Sequence, residues 1–251
     1  MEAKVLLAGE SWITTSTHLK GFDFFSSTHY ATGGDFLIAA LSAGGAEVTH
    51  LPSHDAAKSF PLELGKLQEF SVIILSDIGS NTLLLPPEVF LEGKRVPNRL
   101  ELLKEYVSQG GGLVMAGGYL SFQGIYGAAR YHRTPIEEVL PVTMLSIDDR
   151  VEKPEGVIPR VNVSNHPITK SIDQDWPYLL GFNELTAKEG AEVLATVGED
   201  PLLVTGSFGK GRSVAWTSDV GPHWCPKDFV DWPGYNRLWQ QIVGWAASHV
   251  S

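Results

Sequence analysis

The apolar positions of this chain fall first into short continuous runs separated by amphipathic stretches. Lys4–Ala8 (KVLLA), Glu47–Leu51 (EVTHL), Ser71–Asp77 (SVIILSD) and Leu113–Ala116 have the length and apolar content of strands, the most continuous of them buried on both faces. Between them the apolar spacing changes to that of helices. Thr32 can cap a helix whose apolar face uses Phe36, Leu37, Ala40 and Leu41, with Gly44 and Gly45 at its end. Asn98–Gln109 places Leu100, Leu103 and Val107 on one face; Asn98 and Glu101 have capping-box spacing and Gly110 stops the helix. Strands alternating with helices over the first 120 residues predict an open, mostly parallel sheet with helices on both faces.

After Pro135 the pattern loosens. Ile136–Leu140 reads as a helical turn, and Val142–Ile147, Val157–Val163, Glu192–Val197, Leu202–Ser207 and Arg212–Thr217 as strands. The turn residues Gly209-Lys210-Gly211 join the last two strands into a hairpin, so a β extension is expected in the C-terminal half. Tyr235–Ala246 is a closing helix with Tyr235, Leu238, Trp239, Ile242 and Ala246 inward. Gly9–Tyr30 and Ile147–Trp176 read as irregular segments. No linker divides the chain, and residues 1–251 are expected to form one domain.

Composition narrows the function classes. A net charge of −10 without a lysine-arginine cluster argues against nucleic acid and anionic membranes as partners. No apolar run approaches a membrane span or a signal-peptide core, and Cys225 is the only cysteine, so a reducing, cytoplasmic setting is expected.

The chemistry-bearing residues gather at predicted strand ends, where open α/β sheets bind ligands. Glu10 and Trp12 follow the first strand. Asp77, Ser80 and Asn81 follow the third, Tyr119, Ser121 and Gln123 the fourth, and Asp219, His223 and Trp224 the last. This polar and aromatic rim suits a small polar molecule, such as a sugar or an amide. His223 with Asp219 or Glu10 has the composition of an acid–base pair. Glu10, Asp77, Asp219 and His223 are also chemically permissible ligands for a divalent ion, but no dense metal motif such as His-Glu-x-x-His is present, and neither metal nor cofactor is expected. For each residue taken singly a structural role is the simpler reading: a turn or cap for Asp77, Ser80, Asn81 and Asp219, and cover for the sheet edge for Trp12 and Trp224.

Several phrases carry a family resemblance: LLAGESW (Leu6–Trp12), KGFDFF (Lys20–Phe25), ILSDIGSNTLLL (Ile74–Leu85), GGYLSFQGIYGAARYHRTPIEEVLP (Gly117–Pro141), NHPIT (Asn165–Thr169) and TSDVGPHW (Thr217–Trp224). With the element order, they make the chain resemble the class I glutamine amidotransferase-like superfamily, a flavodoxin-like fold, and within it a bacterial group related to ThuA-like domains. The resemblance implies a cysteine on the turn after a strand and a His-x-Glu after a late strand. Here Gly117 and Gly118 stand on that turn, and Ser218 and Asp219 follow the late strand, with His223 slightly downstream. Cys225, between Trp224 and Pro226, has no strand-to-helix elbow around it. Three functional readings follow. The first is a protein that binds a small polar or carbohydrate-like ligand without glutaminase chemistry. The second is a hydrolase or amidotransferase working through His223 and Asp219. The third is an oligomeric assembly module, a homo-oligomer joined through the irregular segments Gly9–Tyr30 and Ile147–Trp176, in a chain with seven tryptophans.

Overall fold

The computed structural model describes residues 3–248. Its centre is an eight-stranded sheet in the order Glu47–Leu51, Lys4–Gly9, Val72–Ser76, Gly112–Ala116, Gly211–Trp216, Asp200–Phe208, Glu192–Val197, Pro159–Val161. The first five strands are parallel and the last three antiparallel. The parallel half and the C-terminal β extension are thus both present.

The short apolar runs explain the layering. Successive residues of a strand point to opposite faces, so Val5, Leu7, Val72, Ile74 and Val114 enter one core. Leu6, Ala8, Ile73, Leu75 and Met115 enter the other. The first core is covered by the helices Asp35–Ala43 and Pro233–Ala246, which meet where Gln240 Nε2 donates to the Ala40 carbonyl at 2.8 Å. The second is covered by Arg99–Ser108, whose N-terminus is capped by Asn98 Oδ1 accepting from the Leu100 and Glu101 amides. Tyr235, Leu238, Trp239, Ile242 and Ala246 of the closing helix are buried as their spacing requires.

Four details differ from the sequence pattern. The first helix starts at Asp35 after Gly34, with no side-chain cap, because Thr32 is still in a strand; Phe36 consequently faces outward, and Leu37, Ala40 and Leu41 face the core. Gly9–Tyr30 is not irregular: Ser11–Lys20 and Asp23–Thr32 form a hairpin of ten cross-strand pairs without a bulge. It lacks the alternation of a half-buried strand because both of its faces are open to solvent over most of its length. Ile147–Trp176 contains Arg150–Val157, which pairs with Leu179–Asn183, and Pro159–Val161, which joins the sheet edge. Val142–Ile147 shortens to Val142–Met144, paired with Leu185–Ala187 outside the main sheet.

Candidate functional site

Four parallel strands end side by side, and after two of them the backbone turns sharply at the first residue beyond the strand. Glu10 follows Lys4–Gly9 and Asp77 follows Val72–Ser76, both with left-handed backbone, φ 49° and 45°. Such conformations cost on the order of 1–3 kcal/mol each and persist where surrounding contacts impose them. Those contacts are visible: the Glu10 amide donates to the Ser76 carbonyl at 3.0 Å, and the Asp77 amide donates to Ser121 Oγ at 3.0 Å. The reward is direction. Both carboxyl groups point over the strand ends rather than along them.

The third strand runs into Gly117 and Gly118. The Gly117 amide donates to the Trp216 carbonyl at 2.8 Å, and a Cβ at 117 would lie 2.2 Å from the Thr217 carbonyl oxygen, so no side chain fits there. Gly118 has φ 143°, and a Cβ on it would meet Asp77 Oδ1 at 3.1 Å and Asp219 Oδ1 at 3.2 Å. Two carboxylate oxygens therefore flank the space into which a turn nucleophile would project. The turn is held by a buried residue that sequence reasoning did not find. Asn183 Oδ1 accepts from the Gly118 amide at 3.0 Å, while its Nδ2 donates to the Gly118 carbonyl at 3.2 Å and to Asp149 Oδ1 at 2.8 Å. Asp149, also buried, accepts the Gln123 and Gly124 amides and fixes the loop that follows.

The fourth strand ends at Trp216, whose indole Nε1 donates to the Asp219 carbonyl at 2.9 Å. That bond orients Asp219, whose Oδ2 lies 2.8 Å from His223 Nδ1 and accepts the Trp224 amide at 3.3 Å. The hydrogen bond to Asp219 raises the His223 imidazole above its ordinary range, against the opposing effect of burial. The ring stands edge-on to Tyr119, with centroids 4.5 Å apart, and stacks on Trp224 at 5.3 Å. Glu152 braces both aromatics, accepting from Tyr119 Oη at 3.0 Å and from Trp224 Nε1 at 2.9 Å. The Arg150 guanidinium lies over the Tyr119 ring, 5.0 Å from its centroid.

Burial pushes the Glu10 carboxyl well above the usual carboxylate range, and the charges of Asp219 and Asp77 push it the same way. Burial, then Asp219, raises Asp77 to about 6, although Asp77 Oδ1 accepts the Leu120 amide at 2.7 Å. Two of the three acidic groups that share this space, Glu10 and Asp77, are thereby held toward their protonated forms. Among the described residues, Glu10 Oε2, Asp77 Oδ2, Asp219 Oδ1 and His223 Nε2 have no hydrogen-bond partner in the protein. They belong to a cleft of about 680 Å³ whose apolar walls include Trp12, Phe36 and Ile125.

The structure therefore brings together Glu10, Trp12, Asp77, Tyr119, Asp219 and His223 around one cleft. Trp224 and Ser121 are buried just behind it as supports. Ser80, Asn81 and Gln123 do not line it. Ser80 Oγ donates to the Arg130 carbonyl, Asn81 lies exposed on the short helix Ser80–Leu84, and Gln123 bonds the Gly127 carbonyl and the His132 amide. Asn183, Asp149 and Glu152 were missed because no spacing motif marks them; Asn183 and Glu152 come from strands outside the parallel sheet, and Asp149 from the loop that enters Arg150–Val157. His132 pairs with Glu137 at 3.2 Å, away from the cleft lining. Cys225 is fully buried, and burial followed by the charge of Asp219 raises its thiol well above the ordinary value. That is the opposite of an activated thiolate. No group of three or more metal-ligating side chains with the geometry to hold an ion occurs among the described residues.

The family model described as "Putative glutamine amidotransferase" matches residues 4–248. Two solved cytoplasmic proteins of Salmonella typhimurium are similar along their whole length. One is 44% identical with a TM-score of 0.94, covering 96% of this chain and 98% of the other. The second is 43% identical with a TM-score of 0.93, covering 97% and 99%. A ThuA-like protein from Parabacteroides merdae shares the fold, with a TM-score of 0.60 at 13% identity over 99% of this chain and 91% of that one. None of the curated proteins matches the chain.

Proposed function

The chain belongs to this glutamine amidotransferase-like family, and we propose that it binds a small, hydroxyl- or amide-rich molecule at the strand-end cleft and performs no thiol-dependent glutaminase reaction. One observation carries the reading: carboxyl oxygens of Asp77 and Asp219 flank Gly118, where the turn nucleophile of an active relative would project. An attacking sulfur is missing from that turn, and the only thiol in the chain is buried elsewhere.

The surroundings favour a neutral polar ligand over an anion. Carboxyl oxygens line the floor and accept hydrogen bonds, while Trp12, Phe36 and Tyr119 offer flat apolar surfaces to the less polar side of a sugar-like ring. A carboxylate or phosphate ligand would meet the charges of Asp77 and Asp219. The cytoplasmic origin of the two Salmonella relatives supports the same compartment for this chain.

Titration calorimetry with a panel of monosaccharides, polyols and primary amides tests this. Binding to the native chain, weakened at least tenfold by Asp219→Asn, is expected. A flat response across the panel contradicts it.

The His223–Asp219 pair supports a second, catalytic reading. An imidazole with an orienting carboxylate and a free Nε2 can take a proton from water or a hydroxyl near neutral pH. Hydrolysis of a panel ester, amide or glycoside that disappears in His223→Ala would support that reading; binding without turnover would leave the pair as ligand contacts alone.

A further inference from the structure

The hairpin Ser11–Thr32 is the least buried regular element of the protein. Its strands carry Trp12, Ile13, Leu19, Phe24, Phe25 and Tyr30 in exposed positions, and Phe22 at the tip is wholly exposed at 106%. An isolated two-stranded ribbon is marginal in water, and long, regular, uncharged edges invite pairing. Natural proteins usually blunt such edges with proline, bulges or inward charges. This one has no proline, no bulge and one residue of each sign, Lys20 and Asp23, in a chain of net charge −10.

The two faces differ. Trp12 and Phe25 lie on the face that continues into the cleft, with Lys20 over the Phe25 ring. The opposite face reads, from base to tip, Ile13 beside Tyr30, Thr15 beside Thr28, Thr17 beside Ser26, and Leu19 beside Phe24. Within each middle pair the hydroxyls bond to each other, at 3.3 and 3.1 Å, which leaves one O–H donor per pair for a hydroxyl of a facing surface to accept. The order is apolar, hydroxyl, hydroxyl, apolar. It reads the same in either direction.

We propose that this face packs antiparallel on the same face of a second copy of the chain. Ile13 and Tyr30 of one copy meet Leu19 and Phe24 of the other, and the hydroxyl rows cross at the two-fold axis. A palindromic face is what an isologous two-fold contact requires. The charge distribution favours it as well, because the acidic bodies are kept apart while near-neutral arms touch. Ten residue pairs at roughly 3.4 Å give a ribbon about 34 Å long and about 10 Å wide, a projected face of about 340 Å² per copy. That is smaller than the ~800 Å² of a standard interface, so the contact is a weak one that forms at high protein concentration. Trp12 stays on the cleft side, so the dimer leaves the ligand site of each copy open.

The test uses the full chain. Sedimentation or light scattering at high protein concentration should give the mass of two chains, and Leu19→Asp with Phe24→Asp should halve it. Cysteine pairs then test the geometry, because the native thiol is buried. Ile13→Cys combined with Leu19→Cys should cross-link two chains under mild oxidation, whereas Ile13→Cys alone should not. A native chain that stays monomeric at its highest soluble concentration overturns the proposal. So does a dimer indifferent to the Asp substitutions, or one that cross-links through Ile13→Cys alone.

Discussion

Asp77→Asn should make the protein more stable at neutral pH. The carboxyl is raised from 3.8 to about 6 in the folded chain by burial and by Asp219. Between those values the native state holds a proton that the unfolded state has lost, so stability falls as pH rises through the window. A tenfold change in proton affinity is worth about 1.4 kcal/mol, which gives an upper bound of about 3 kcal/mol above pH 6. Partial exposure of the side chain screens some of it, leaving roughly 1–3 kcal/mol. Asparagine keeps the acceptor for the Leu120 amide and tolerates the left-handed backbone at φ 45°. For a chain of this size the gain corresponds to a rise of about 2–12 °C in Tm. Differential scanning calorimetry at pH 7.5 and at pH 4 measures it, since at pH 4 Asp77 is already protonated in the fold and the variant should gain little. A loss of stability at pH 7.5, or an equal gain at both values, would refute the reasoning. Stability gained by neutralising one of these groups is what a site kept for binding rather than for folding should show.

Other substitutions probe the same framework. Asn183→Leu removes the clamp on both Gly118 backbone groups and on Asp149, and should cost about 2–5 kcal/mol in urea unfolding. Gly118→Ala places a methyl group 3.1–3.2 Å from two carboxylate oxygens at φ 143° and should abolish ligand binding while leaving a folded chain by circular dichroism. His223 has a raised folded pKa, so its pairing with Asp219 contributes stability below the unfolded value near 6.5 and loses it as pH rises through the folded value; His223→Ala should lower Tm more at pH 6 than at pH 9. Cys225 should resist iodoacetamide at pH 8 in the native protein and react at once in denaturant, because it is buried and its thiol is raised.

The parallel half of the fold was legible because its strands must be apolar on both sides, which leaves continuous runs such as Val72–Leu75 and Leu113–Ala116. The hairpin was not, because burial periodicity is created by a core and the Ser11–Thr32 arm has none. Its threonines and aromatics carried only β propensity. The same division runs through the site. Glu10, Asp77, Tyr119, Asp219 and His223 were found by the strand-end rule. That rule also admitted Ser80, Asn81 and Gln123, and it cannot tell a side chain that faces the cleft from one that turns back to bond the Arg130 or Gly127 carbonyl. Asn183 and Glu152 act across 65 and 72 residues of sequence, on Gly118 and Trp224. Only the folded register brings them there.

The most direct measurement is amide chemical-shift mapping of the labelled protein against the sugar, polyol and amide panel. A ligand in the strand-end cleft should move the amides of Gly33, Gly118, Leu120 and Gly221, which line it or lie against it. No movement with any compound, or movement confined to the 360 Å³ hollow around Tyr106, Gly110 and Gly111, would contradict a ligand site at Gly118.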